Sequence, residues 1–373
     1  MGSFSGDWSW MRLSPAPDVV CPATVTTVAV GPRDRVRGGD KSVAWVRWRG
    51  WGRQGGLLLV AVLGAVLVGC GNGDNPAGSP AGTQPKHPAA AQPAAQQPVA
   101  TTEADWAGVA QALGRPGELT DTVYRVVLSR SDLNVVSRGV PIKPGLSLGG
   151  YAVFTRYPDV TMLMGDLVVT EAELPRVIDA LLVNRIDLMG LHKRLLDQSP
   201  AIWWVRVQAR GEPVQLAKGV RAALDVTSTP PSAPTSETQP IVNLDTAGID
   251  AALGRKGTVN GGIYKLSIPR GETVVQDEHV LPVGLGLSTV VNFQPASGGQ
   301  AAINGDVAMT GNEVQKVIAA LRRGGIEVVE VHHYGLAEQP RLFYLHFWAV
   351  DDAVALARAL RPALDATNLK PAS

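Results

Sequence analysis

The sequence predicts an α+β fold of two tandem homologous domains, each a largely antiparallel sheet with about three helices. Three observations carry this prediction: an internal repeat with a spacing of 140 positions, an excess of strands over helices in each copy, and short turns between neighbouring strands. A repeat unit of domain length, present twice, predicts tandem domains and not a solenoid. Short connections between strands favour antiparallel pairing.

The matched positions of the repeat run from Leu113 to Asp365. Its matched positions are Leu113-Gly114-Arg115-x-Gly117 with Leu253-Gly254-Arg255-x-Gly257, Tyr124 with Tyr264, Arg130 with Arg270, Gly165-Asp166 with Gly305-Asp306, His192 with His332, Pro200 with Pro340, and Leu224-Asp225 with Leu364-Asp365. A register kept over this length indicates internal duplication. We place repeat domain 1 at 103–227 and repeat domain 2 at 243–369, with a Pro/Ser/Thr-rich linker at 228–242 between them.

The same order of elements is predicted in each copy. A helix over Asp105–Leu113 or Thr246–Leu253 ends at the following glycine. Strands follow at Val123–Leu128, Leu133–Val136, Tyr151–Phe154 and Thr161–Val169, and in the second copy at Ile263–Ile268, Thr273–Val275, Thr289–Phe293 and Ala301–Met309. A helix (Glu171–Leu182 or Asn312–Arg323), a strand hairpin and a last helix (Glu212–Leu224 or Asp351–Leu364) complete each domain.

The segment before the repeats has the features of a lipoprotein signal peptide. Basic residues precede a 12-residue apolar run, Leu57–Val68, and Gly69-Cys70 follows it. The run is too short for a membrane helix, which needs about 20 apolar residues. We therefore predict that residues 1–69 are removed, that Cys70 becomes a lipidated N-terminus, and that the Pro/Ala/Gln-rich stretch 70–102 is a tether.

This anchor predicts a location at the cell membrane, on its extracytoplasmic face, with the membrane as a partner through the lipid. Residues 1–42 form an unusual preface to a signal peptide, so we expect translation to begin later, near Val43 or Val46. The alternative is a genuine cytoplasmic extension.

Composition excludes several classes of function. Eight Lys/Arg and four Asp/Glu precede Cys70, which leaves 26 basic and 29 acidic residues in the mature chain. Nucleic-acid binding needs clustered cations, so we predict no nucleic-acid partner. The mature domains contain no cysteine beyond Cys70, which excludes disulfides and thiolate chemistry in them.

The strand hairpin of the second copy carries the candidate site. Alternation places Val329, Val331, Phe343, Leu345 and Phe347 on an apolar face and Glu330, His332, Tyr344, His346 and Trp348 on the opposite face. In the first copy, Met189, Leu191, Trp203, Val205 and Val207 oppose Gly190, His192, Trp204, Arg206 and Gln208. One imidazole on each strand could form a metal or acid–base site, with His332 and His346 the only metal candidates.

Further residues are candidates for binding. Asp166 and Asp306 lie within β-rich runs and could supply a ligand or a general base. Arg270, which matches Arg130, could clamp a carboxylate or phosphate, or could pair with Glu272 in a surface contact. The candidate set is therefore Glu330, His332, Tyr344, His346, Asp306, Arg270, His192, Arg206 and Asp166, and no cofactor is assigned. Thr170-x-x-Glu173 and Thr310-x-x-Glu313 match a capping box instead.

These residues resemble the LppY/LpqO lipoprotein family of actinobacteria. The resemblance rests on Gly305-Asp306-x-x-x-Thr310-x-x-Glu313-Val314, Gly325-Ile-Glu-Val, His332, Pro340-Arg-Leu-Phe and His346-Phe-Trp348, and it covers both copies from Asp105 to Thr367. It implies an envelope lipoprotein with a duplicated domain of unknown function, and some relatives carry a peptidoglycan-binding label. The family's His-Asn-His triplet is His332-His333-Tyr334 in this chain and His192-Lys193-Arg194 in the first copy.

Three functions fit the sequence. We favour a membrane-anchored protein that binds a cell-wall component or a small ligand across the face bearing His332 and His346. The alternative is a metal-dependent or hydrolytic enzyme centred on the same two histidines. A third is an assembly partner without a small ligand, and a plain solvent-exposed surface also fits the histidines.

Overall fold

The computed structural model describes residues 94–231 and 240–372. Its helices are Ala107–Leu113 (α1), Pro144–Ser147 (α2), Leu174–Val183 (α3), Pro213–Asp225 (α4), Thr246–Leu253 (α5), Val314–Arg323 (α6) and Ala353–Asp365 (α7). Short 3-10 turns lie at Glu103–Trp106, Val283–Leu285 and Ser297–Gly299. Gly114 and Gly254 end α1 and α5 in the left-handed conformation (φ 65° and 64°), as the sequence predicts.

The strands of the first repeat are Glu118–Thr120 (β1), Val123–Ser129 (β2), Val136–Ser137 (β3), Val140–Pro141 (β4), Gly149–Arg156 (β5), Thr161–Thr170 (β6), Asp187–His192 (β7), Gln198–Ser199 (β8) and Ile202–Gly211 (β9). Those of the second are Thr258–Asn260 (β10), Ile263–Pro269 (β11), Val275–Gln276 (β12), His279–Val280 (β13), Ser288–Pro295 (β14), Ala301–Thr310 (β15), Glu327–His333 (β16) and Leu342–Asp351 (β17).

Each repeat forms one six-stranded sheet with the same topology. The strand order is β1-β2-β5-β6-β9-β7 in the first repeat and β10-β11-β14-β15-β17-β16 in the second. Every neighbouring pair in both sheets is antiparallel. The predicted fold class, two tandem α+β domains with antiparallel sheets, is confirmed.

Helices cover one face of each sheet. In the first repeat, Leu113 of α1, Leu181 of α3 and Val220 of α4 pack with buried strand residues such as Phe154 and Val205. The corresponding cluster of the second repeat is built from the equivalent elements. Burying a side chain of this size stabilises the fold by about 1.5–3 kcal/mol, so each repeat has a core of its own.

The other faces of the two sheets pack against each other, and we call this contact the seam. Two apolar clusters in the seam draw residues from both repeats. One includes Val153 and Met164 of the first repeat with Ala308 and Tyr344 of the second. The seam therefore makes a single layered body: helices, sheet, sheet, helices.

Each repeat also extends an arm over the sheet of the other. In the first repeat the arm consists of β3, β4 and α2, and its Leu146 and Leu148 join a cluster with Trp348 of the second repeat. The hydroxyl of Ser147 donates to Asn304 Oδ1 at 2.9 Å. In the second repeat Leu285 and Leu287 pack reciprocally on the first sheet.

The predicted facing of β16 is wrong at two positions. A register shift between Val328 and Glu330 places Val328 against the helix-side core and Val329 in the seam, while Val331 is 38% exposed. The same shift occurs between Leu188 and Gly190, so Leu188, not Met189, joins the core of the first repeat. A β-bulge adds one residue to a strand and reverses the alternation beyond it.

The end of the predicted tether lies within the described residues. Gln96 exchanges backbone hydrogen bonds with the second repeat, at Glu278 (2.6 Å) and Val280 (2.9 Å), and Val99 N donates to Arg156 O of the first repeat at 2.7 Å. The predicted signal peptide and Cys70 fall outside the described residues. Among the helices of residues 94–231 and 240–372, none is long and apolar enough to cross a membrane.

Candidate metal centre

Three histidines meet in the middle of the seam. His192 ends β7 of the first repeat, whereas His332 on β16 and His346 on β17 belong to the second. Each offers one ring nitrogen, and these three atoms lie within 4.8 Å of one another. His192 and His346 are each 1% exposed. The structure therefore brings His192 of the first repeat next to its equivalent His332 and next to His346 in the second.

The three rings are almost parallel. His332 and His346 have centroids 5.0 Å apart, and their Nε2 atoms lie 2.8 Å apart, so the two rings meet head to head. His192 stacks on this pair, with centroid distances of 4.3 Å to His332 and 5.0 Å to His346. A metal ion bound by all three would require the His192 ring to turn toward the pair.

The partners of the outer nitrogens assign the protons of the head-to-head pair. His332 Nδ1 lies 2.8 Å from the carbonyl oxygen of His333, which can only accept, so this nitrogen carries the proton. His346 Nδ1 lies 2.7 Å from Asp306 Oδ1, at ion-pair distance but off the hydrogen-bonding direction, and a carboxylate at that distance also favours N–H. Both Nε2 atoms then present lone pairs to each other, and a positive ion between them removes the repulsion.

His192 presents a lone pair for a different reason. Arg194 Nε donates to His192 Nε2 at 3.4 Å, and a guanidinium has no lone pair to offer in return. The proton of the neutral ring must then sit on Nδ1, which has no hydrogen-bond partner among the described residues. All three Nε2 atoms are thus in the form that binds a metal.

Two carboxylates and one guanidinium border the histidines. Arg194 Nη1 donates to both oxygens of Asp306, at 3.0 and 2.9 Å, and Nη2 donates to Asp166 Oδ2 at 2.5 Å. Asp166 and Asp306 are equivalent residues of the two repeats, so Arg194 bridges the seam. Asp166 Oδ2 also lies 3.7 Å from His192 Nε2, while its Oδ1 is buried without a partner in the described part of the chain.

The electrostatics keep His192 and His332 neutral and the Asp306 carboxylate charged. Burial, reinforced by His346, lowers the pKa of His332 to about 3, and burial with both other histidines lowers the pKa of His192 well below its ordinary value. Burial opposes ionisation of Asp306, but Arg194 and His346 outweigh it and hold the pKa of that carboxyl below its usual range. Neutral imidazoles beside an ionised carboxylate are suited to a divalent cation.

The donor set fits a transition metal. Imidazole nitrogen suits zinc, copper, iron and nickel, and metal-bound histidines commonly direct their other nitrogen to a carboxylate or a backbone carbonyl, as His346 and His332 do here. With Zn–N bonds of about 2.0–2.1 Å, two tetrahedral ligands stand about 3.4 Å apart. The 2.8 Å pair would need to open by roughly half an ångström.

Three other predicted candidates, Arg206, Tyr344 and Glu330, form hydrogen bonds in the seam. Arg206 is buried in the seam, donates from Nε to Tyr334 O at 2.9 Å and stacks 4.3 Å over the Tyr334 ring. The Tyr344 hydroxyl donates to Gly286 O. Glu330 accepts from the backbone of Lys193 at 2.5 Å, across the seam. The hydrogen bonds of Arg206 and Glu330 join the two repeats around the histidines, whereas that of Tyr344 lies within the second repeat.

Arg270 lies outside the centre. It is 2% exposed and donates to Glu272, Glu313 and the carbonyl of Ala308, so its five donors serve a structural network. Arg130 does the same in the first repeat with Asp132 and Glu173. The predicted pairing with Glu272 is present, but describing it as a surface contact is wrong, because the guanidinium is buried.

The solvent-facing interpretation of the hairpin is also wrong. The face bearing His332 and His346 lies against the other repeat, since the two sheets share one interior. It therefore presents no open surface for a polymer. Arg194 was not among the predicted site residues; its signal in the sequence was its place in His192-Lys193-Arg194, where the triplet of the resembling family has its second histidine.

Two of the solved structures that resemble this chain are a microcompartment shell protein and a protein whose name states no role. One is the "Crystal structure of a trimeric bacterial microcompartment shell protein PduB", at 11% identity and a TM-score of 0.19, covering 66% of this chain and 86% of that chain. The other is the "Crystal structure of EtuB from Clostridium kluyveri", at 14% identity and a TM-score of 0.18, covering 67% and 89%. At these scores neither supports an argument. No curated protein matches the sequence.

A protein family does match, and it matches twice. The family is described as Domain of Unknown Function (DUF1259), and it covers residues 107–226 and 247–366. Both matched segments coincide with the repeats that contribute histidines to the seam. The chain belongs to this family and contains its domain in two copies.

Proposed function

We propose that this protein is a lipid-anchored protein of the cell envelope whose two repeats together bind one divalent transition metal ion, of the zinc class, in the seam. A single observation carries the metal: three imidazoles from two repeats bring ligand nitrogens within 4.8 Å of one another inside the seam. The enzyme alternative predicted from the sequence places a metal at His332 and His346; the present proposal keeps the metal and adds His192 as a ligand.

The surrounding residues support the same proposal. Asp306 and the His333 carbonyl orient His346 and His332 so that their inner nitrogens face each other. The 2.8 Å contact between the two Nε2 atoms is satisfied either by a proton on one of them or by a metal ion bound between them. Zinc sites with three protein ligands keep a fourth position open, and Asp166 Oδ1 lies unpaired in this centre.

Metal analysis of the chain expressed without its signal peptide tests the proposal. After chelator treatment and dialysis against micromolar zinc, we expect about one zinc ion per chain. His192→Ala and His332→Ala should each abolish stoichiometric zinc uptake. Each change removes one of the three imidazole ligands, and the remaining two do not complete the site. His333→Ala is the matched control, since His333 is half-buried and directs Nε2 to Met189 O instead. Equal zinc contents in the parent and the His192→Ala variant would contradict the proposal.

The envelope part of the proposal is supported by the apolar run before Cys70 and by the resemblance to the LppY/LpqO lipoproteins. In a lipoprotein-processing host, the parent chain should partition into the detergent phase and incorporate labelled fatty acid. Cys70→Ala should do neither, because the thiol is the acceptor. Fatty-acid incorporation by the Cys70→Ala variant would show that the anchor has been misplaced.

We do not adopt the enzyme alternative. A hydrolase must bring its substrate to the reacting groups, and two of the three imidazoles are 1% exposed. A cell-wall polymer, which we also expected as a partner, would have to bind outside the seam. Retention of the protein on isolated cell walls, compared between the parent and His192→Ala, would separate wall binding from metal binding.

A further inference from the structure

The guanidinium of Arg194 occupies the place of a cation in the centre. It lies between the equivalent carboxylates Asp166 and Asp306 and contacts His192 through Nε. Divalent metal ions in proteins are commonly bound by carboxylate and imidazole in such an arrangement. Arg194 therefore uses the groups that a metal ion would use.

We propose that Arg194 is an internal cation that competes with the metal ion for the seam and thereby sets its affinity. This inference rests on the proposed function, because it concerns occupancy of the same centre. Two steps carry it, one concerning the histidine lone pair and one concerning charge.

The first step is the competition for a lone pair. His192 has one free ring lone pair, at Nε2, and Arg194 Nε donates to it at 3.4 Å. A metal ion needs that same lone pair, so the contact must break when a metal binds. The side chain of Arg194 is 17% exposed, more than those of Asp166 (3%) and Asp306 (12%), so it is the charged group nearest to solvent among the three.

The second step is the charge balance of the seam. Four cationic side chains, Arg194, Arg206, Arg125 and Lys265, act electrostatically on the two carboxylates Asp166 and Asp306. A divalent ion adds two more positive charges to these surroundings in a buried setting, where screening by water and salt is weak. Without Arg194 the two carboxylates would attract the ion instead, and Asp166, only 2% exposed and with Oδ1 unpaired, would gain a role as ligand.

Arg194→Met tests the competition, since methionine is apolar, flexible and uncharged. We expect this variant to bind zinc at least tenfold more tightly than the parent in competition with a chromogenic chelator. Arg138→Met is the control for loss of one positive charge, because Arg138 forms a salt bridge across the seam with Glu327 but stands at 39% exposure, away from the histidines. Its zinc affinity should equal that of the parent.

The outcomes separate the two proposals. Tighter zinc binding by Arg194→Met, with no change in Arg138→Met, supports the competition. A zinc affinity of Arg194→Met equal to or weaker than that of the parent overturns it, even if the parent binds zinc. Uptake by Arg194→Met but not by the parent would contradict the proposed function and leave the competition standing. No uptake by either overturns both. If Arg194→Met folds only with metal, recovery of native circular dichroism on refolding with zinc supports the competition, and failure to recover contradicts it.

Discussion

Replacing Glu313 with alanine should lower the free energy of unfolding by about 3 kcal/mol or more. The Glu313 carboxylate accepts hydrogen bonds from Arg270 Nη1 (2.9 Å) and Nη2 (3.2 Å) and from the backbone nitrogens of Thr310 (2.7 Å) and Asn368 (2.8 Å). Its removal leaves a buried guanidinium with fewer partners and two backbone donors unsatisfied. Urea unfolding, followed by circular dichroism, measures the loss.

Two variants give this prediction its controls. Glu272→Ala removes the outer partner of Arg270, which is 25% exposed, and should cost about 1 kcal/mol or less. Glu173→Ala, the equivalent change in the first repeat, should match Glu313→Ala, because Glu173 accepts from Arg130, Thr170 and Ser228 in the same way. A cost below 1 kcal/mol for Glu313→Ala would show that the buried network contributes little.

Acidification should destabilise the metal-free protein by about 4 kcal/mol between pH 7 and pH 5, about 2 kcal/mol for each of two buried histidines. Burial lowers the pKa of His332 to about 3 and lowers that of His192 well below the ordinary value, so the folded state keeps both rings neutral across this range. In the unfolded chain both titrate near pH 6.5. The unfolded state therefore takes up protons as the pH falls, and the stability present above about pH 6.5 is progressively lost below it.

The slope of unfolding free energy against pH isolates this effect from any loss of packing. Measured in chelator, the slope between pH 7 and pH 5 should shrink for His192→Gln relative to the parent, because one proton-linked group has been removed. An unchanged slope for His192→Gln would mean that this ring does not exclude protons in the folded state.

The fold could be predicted because duplication gives every element twice. Where the residue pattern of one copy did not decide between helix and strand, the pattern of the other copy could be compared with it. The predicted helix Thr246–Leu253 agrees with the structure at both ends. The bulges at Val328 and Leu188 were not predicted, since alternation alone does not show where a strand gains a residue. Gly190, next to one of them, was the available signal.

The candidate site was predicted only in part, for a topological reason. Alternation separates two faces of a strand but does not say whether the second face meets water or another sheet. The aromatic residues Trp204 and Trp348, which are 2% and 1% exposed, were the sign that it meets another sheet. When the two faces pack together, the equivalent strands of the two sheets lie against each other, and this places His192 beside His332 and His346.

X-ray absorption at the zinc edge tests the central claim most directly. For the zinc-loaded parent protein we expect a first coordination sphere of about three imidazole nitrogens at roughly 2.0–2.1 Å, with an oxygen ligand completing the site. The imidazole contribution should fall in His192→Ala, although that change lies in the first repeat and the other two ligands lie in the second. A spectrum of zinc surrounded by oxygen alone, unchanged in His192→Ala, would contradict a metal centre shared by the two repeats.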